Sequence, residues 1–184
     1  MDAVDRIVEQ WARQRPDLDT APMELIGRMA RVRNHMARAM DQTFAEFGLN
    51  AASFDLLATL LRAGPPHALS PTDLAAMMMI TSGTMTNRID QLVKTGLVER
   101  RKSPTDGRGF LICLTPEGMA LIDRAVTAHV ATQARLVAAL DPDQRAALNA
   151  ALSGLLIGFE GEGAGDGAGD GAGKGGDAGE DTAT

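Results

Sequence analysis

A chain of 184 residues, 45% of them hydrophobic but only 3% aromatic, is long enough for one domain with a buried core. Its single cysteine, Cys113, excludes an intrachain disulfide. No charged start followed by a long apolar run marks a signal peptide or membrane span, so the cytosol is the expected compartment.

The apolar spacing of Val4, Ile7, Val8 and Trp11 predicts a short amphipathic helix closed by Pro16. Residues 22–47 form a long helix, with Leu25, Met29, Val32, Met36, Met40 and Phe44 recurring every three or four positions and Gly48 at the stop. Asn50 caps the next helix, whose apolar arc is Phe54, Leu56, Leu57, Leu60 and Leu61, with Asp55, Thr59 and Arg62 on the other face. Ser70 and Pro71 start a short helix through the three methionines at 77–79. Thr81, Ser82 and Gly83 read as a tight turn, and a second periodic run follows to Lys94 and Gly96.

The runs LVERRK and GFLICL are strand-like, and the link SPTDGR between them reads as a long hairpin turn. Thr115 and Pro116 cap a helix to about Leu140, and Asp141 to Gln144 repeat the capping signal for a last helix bearing Leu148, Leu152, Leu155 and Leu156. From Gly158 onward eleven glycines and seven acids face one Lys174, which predicts a disordered tail over 158–184. Its GAGDGAGD repeat lacks the alternating large apolar residue of calcium repeats. The formal net charge of -6 belongs to this tail, and residues 1–157 are neutral. The expected fold is mostly α with a small β hairpin, a winged helix-turn-helix (about 50–115) between terminal dimerisation helices (about 1–47 and 116–157).

A winged helix inserts its second helix into the DNA major groove and brings the hairpin tip to phosphate or minor groove. Ser82, Thr84, Thr86, Asn87, Gln91 and Lys94 are polar groups of that helix suited to base edges and phosphates. Arg101, Lys102 and Arg108 supply positive charge from the hairpin, Arg108 within a GRG tip. The same module also serves as a protein-interaction surface, so the spacing alone leaves that reading open. His35, His67 and His129 show no metal spacing, and no nucleophile elbow or phosphate loop occurs, so neither an enzyme nor a cofactor is expected. Cys113 alternates within an apolar strand, where a buried, inert thiol is expected rather than a redox sensor.

Helical phase sorts the basic residues. Met85, Ile89, Leu92 and Val93 form the buried stripe of the second helix, with Gly83, Asn87, Asp90 and Lys94 nearly opposite. Arg88 sits at the stripe's edge, where its chain turns toward the protein body and calls for a partner such as Asp55. Arg100 and Arg101, adjacent on a strand, point to opposite faces, one toward the protein and the other toward DNA.

The stretch from Leu69 to Gly118, with Asp106, Arg108, Leu114 and Thr115 in the wing signature, resembles the DNA-binding core of the MarR family of bacterial transcription regulators. The likeness extends over residues 1–157 and implies homodimers with interlocking terminal helices that read a pseudopalindromic operator in double-stranded DNA. DRIVEQWARQRPDL, SFDLLATL and TNRIDQL together resemble the urate-responsive branch, whose ligand positions match Trp11, Asp55, Arg88 and Arg100. The implied function is a ligand-responsive regulator, a repressor whose DNA affinity falls when a small anion such as urate or a related purine binds. An aromatic face, two guanidinium groups and a carboxylate suit a flat anionic heterocycle. A phenolic or other organic acid is the alternative ligand. Gly107 and Gly109 stand where relatives are often more basic.

Overall fold

The computed structural model describes residues 1–104 and 109–165. Its helices are α1 (Ala3–Gln14), α2 (Ala21–Ala45), α3 (Ala51–Arg62), α4 (Pro71–Met77), α5 (Ser82–Lys94), α6 (Pro116–Leu136) and α7 (Pro142–Gly165). Its strands are β1 (Ala68–Leu69), β2 (Val98–Lys102) and β3 (Phe110–Leu114). Two compact units divide the chain, Met1–Leu136 and a second that begins at Val137 and carries α7. Among the described residues no helix is long and apolar enough to cross a membrane.

Local chemistry places the boundaries where the capping residues stand. The Asn50 side chain accepts from the Ser53 amide at 2.9 Å, and the Ser70 hydroxyl from the Asp73 amide at 3.1 Å. Asp141 and Gln144 form a reciprocal capping box, with 2.8 Å and 3.0 Å bonds. The Thr115 hydroxyl accepts from the Gly118 amide at 3.0 Å and donates to the Gly96 carbonyl at 2.7 Å, tying the start of α6 to the start of β2. Gly118 has a steric reason to be glycine: a Cβ there would lie 1.9 Å from the Leu97 carbonyl oxygen.

One continuous core joins the elements of the first unit: Phe44 of α2, Phe54, Leu56, Leu57 and Leu60 of α3, Leu74 of α4, Met85, Ile89 and Leu92 of α5, Val98, Ile112 and Leu114 of the sheet, and Ile122 and Ala125 of α6. Phe44 stacks on Phe54 with ring centroids 4.3 Å apart, and His129 of α6 lies 4.7 Å from Phe54. Burial lowers the pKa of His129, and its Nδ1 has no hydrogen-bond partner among the described residues. Beside the rings, Thr43 donates to the Ala39 carbonyl at 3.1 Å, so Thr132 donates to Thr43 across the buried 2.8 Å contact between α2 and α6. The helix α1 docks on α2 through buried Val4 against Gly27 and through Arg28, which pairs with Asp2, Asp5 and Glu24. The Arg28 guanidinium, with the Asp5 and Val4 amides, holds the Asp2 carboxyl down at about 2.

The structure departs from the sequence expectations in four places. The hairpin is part of a three-stranded antiparallel sheet in the order β1-β3-β2, because the short β1 pairs Ala68 with Cys113 and Leu69 with Ile112. A strand of two residues leaves no periodicity to read. Thr59 is fully buried rather than on a polar face, its hydroxyl accepting from Arg62 at 3.2 Å. The turn between α4 and α5 is formed by residues 78–81, and Ser82 and Gly83 belong to the first turn of α5. There Met79 takes the left-handed conformation (φ 51°), its amide bonds to the Ala76 carbonyl and the Ile80 amide to that of Ala75, a Schellman closure with methionine where glycine is usual. Finally, α7 continues through Gly165, past the expected start of the tail at Gly158. The remainder of the tail lies outside the described residues.

Candidate nucleic-acid interface and anion site

On α5, Met85, Ile89 and Leu92 enter the core. This leaves Thr84, Thr86, Asn87, Gln91 and Lys94 exposed. The Thr84 hydroxyl meets that of Thr81 at 3.0 Å, holding the first turn of the helix. The side chain of Ser82 lies outside the described residues. Arg62 donates to the Met77 carbonyl at 3.4 Å, a long bond that steadies the end of α4 ahead of the turn. The short first helix, the turn and α5 thus present their exposed polar side to solvent.

The two wing strands pair in register from Val98 opposite Leu114 to Lys102 opposite Phe110. The Ser103 amide closes the hairpin on the Gly109 carbonyl at 3.0 Å. Asp106 and Arg108 lie in the tip, outside the described residues. Arg101 and Lys102 are exposed, and Arg101 pairs with Glu99 two residues back on its own face. Arg100, on the other face, pairs with Asp90 of α5, and its guanidinium lies 5.5 Å from the centroid of the Phe110 ring. The expected alternation of the two arginines is thus present, with Arg100 turned toward the recognition helix.

Of the four matched ligand positions, Trp11 on α1 is 40% exposed, which leaves its ring face accessible. Asp55 is exposed on α3, and Arg88 is half-buried on α5. No hydrogen bond or ion pair joins any two of the four among the described residues, and the expected Arg88–Asp55 pair is not formed. The four sit on four separate elements, α1, α3, α5 and β2. Arg88 is a half-buried cation without an acidic partner among the described residues. Asp90 and Phe110, the neighbours of Arg100, escaped sequence reasoning. Asp90 was assigned to the solvent side by helical phase, and the strand register that brings Phe110 diagonally across from Arg100 depends on the length of the hairpin tip.

Cys113 is buried opposite Glu99, and burial pushes its thiol pKa up. Among the described residues no cluster of His, Cys, Asp and Glu is arranged to hold a metal ion.

Two helices across a tight turn, followed at once by an antiparallel hairpin, define a winged helix-turn-helix fold. A sequence model described as MarR family matches residues 47–109. The HTH-type transcriptional regulator PecS of Dickeya dadantii is 40% identical over 149 residues, covering 81% of this chain and 90% of that protein. Two solved structures hold DNA. One is a MarR family transcriptional regulator from Streptomyces coelicolor in complex with DNA, with TM-score 0.67 and 26% identity over 77% of this chain and 94% of that one. The other is a cysteine-to-serine mutant of MarR from E. coli complexed with operator DNA, with TM-score 0.64 and 26% identity over 74% and 97%. The chain belongs to the MarR family and is a DNA-binding transcriptional regulator rather than an enzyme.

Proposed function

We propose that the protein is a homodimeric repressor that binds a pseudopalindromic operator and releases it when a small anion, urate or a related purine, binds. The exposed polar side of α5 reads base edges, with Ser82 at its start, while Lys94, Arg101, Lys102 and Arg108 meet phosphate. The observation that carries the effector reading is Arg88, half-buried on the recognition helix without an acidic partner among the described residues. Trp11 supplies an accessible aromatic face, Arg100 a second guanidinium, and Asp55 an acceptor for ring N–H groups. Asp106 and Arg108 belong to the wing signature of the resemblance, and Arg108 adds positive charge there.

The mechanism of this reading uses the spacing of the two recognition helices in a dimer. Two recognition helices of a dimer must meet half-sites about one helical turn of DNA apart, so a ligand that pulls on Arg88 displaces α5 and costs operator affinity. Urate, xanthine and a phenolic acid titrated into the protein–operator complex test this, with Arg88→Ala and Trp11→Ala beside the parent. Urate or xanthine is expected to dissociate the parent complex and not the variants. Dissociation by the phenolic acid alone replaces the purine with an aromatic acid, and a complex indifferent to every anion overturns the effector reading.

A further inference from the structure

Arg100 is a junction of three elements. It stands on β2, its guanidinium pairs with the Asp90 carboxylate of α5, and the Phe110 ring of β3 lies beneath it. Among the described residues this is the one ion pair that joins the recognition helix to the wing. Asp90 is also an acid on an element whose partner is the polyanion DNA, so its engagement by Arg100 is what neutralises it there.

The two halves of the junction differ in how easily they are exchanged. The side chains of Arg100 and Asp90 are 39% and 44% exposed, and a pair in that setting is weakly held. Phe110 meets the guanidinium through its ring, 5.5 Å from the centroid, and so does not compete with a carboxylate or another anion for the N–H groups. Phe110 therefore keeps Arg100 in place while the anion at its edge changes.

We propose that Asp90 is the internal counter-ion of the effector site, occupying Arg100 when no effector is bound, and that Phe110 is the positioning residue that holds Arg100 for exchange. The inference rests on the effector reading above and adds its regulation. An anion arriving at Arg100 displaces Asp90, which unfastens the wing from the recognition helix and leaves an unneutralised carboxylate on α5. Binding and loss of the helix–wing link are then the same event.

Direct binding of urate to the DNA-free full-length protein tests this, measured by calorimetry for the parent, D90N, D90E and F110A. Removing the competing carboxylate frees Arg100, so D90N is expected to bind urate about three- to tenfold more tightly. D90E retains the competitor and should stay near the parent, whereas F110A should bind several-fold more weakly. A purely structural role for Asp90 would loosen the site and weaken binding, the opposite sign. Urate binding by the parent with unchanged or weaker binding by D90N overturns the counter-ion role alone. No urate binding by the parent sinks the purine reading together with this inference.

Discussion

The two ends of α2 carry the same apolar spacing and meet opposite fates. Toward the C-terminus Met40 and Phe44 pack into the core beside α3 and α6, and Thr43 is buried on Thr132. Toward the N-terminus α1 covers the side of Gly27 and Arg28, whereas Leu25, Ile26 and Val32 are 57%, 61% and 50% exposed, so these three side chains have no cover among the described residues. The chain completes its DNA-binding lobe by itself and leaves part of its terminal helices unpartnered. That division is what a second copy of the chain would resolve, and it separates residues that maintain the fold from residues that assemble it.

The comparison breaks most visibly under substitution at its two ends. Ile26→Glu places a charge on the exposed apolar face of α2 and is expected to weaken self-association by about a hundredfold or more while leaving the helical circular dichroism intact. Sedimentation velocity reads this directly. Leu57→Ala, in the fully buried core, should do the reverse, keeping the association state and costing about 2–5 kcal/mol in denaturant unfolding. If both variants lose association and fold together, the two regions are one cooperative unit and the division fails.

Gly118→Ala sharpens the lobe side. Its Cβ meets backbone rather than a flexible side chain, so unfolding free energy should fall by about 3 kcal/mol. A neutral result would mean that α6 slides freely along the start of β2. The smallest effect belongs to α1. The depressed folded pKa of Asp2 means that its contribution is full above the ordinary value of 3.8 and is lost as pH falls toward about 2. Trp11 fluorescence should report α1 releasing across that acid window in the parent but not in Asp2→Asn, with the core still folded.

The sequence made most helices legible because their capping residues and apolar spacing agree, as at Asn50, Ser70 and Thr115. The stripe of Met85, Ile89 and Leu92 and the inward position of Cys113 were readable for the same reason. The turn was misplaced because Met79 adopts a glycine-like conformation that no residue type announces. At the candidate site, residue types and helical phase put Arg88 at the edge of the buried stripe. Partner choice is less legible: helical phase points to Asp55 as the acid for Arg88, yet that pair is not formed, and Arg100 is engaged by Asp90 of α5. Pairing across elements depends on helix-to-strand geometry and hairpin register, which local pattern does not encode.

The central claim is that the basic residues of this lobe serve two different anions. Operator affinity measured against salt, with and without urate, for the parent, Lys94→Ala and Arg88→Ala tests it most directly. Lys94→Ala should lower affinity, reduce the salt slope by about one and keep the response to urate. Arg88→Ala should keep the slope and lose the response. A loss of salt slope in Arg88→Ala with an intact urate response would place Arg88 on the DNA and contradict the account.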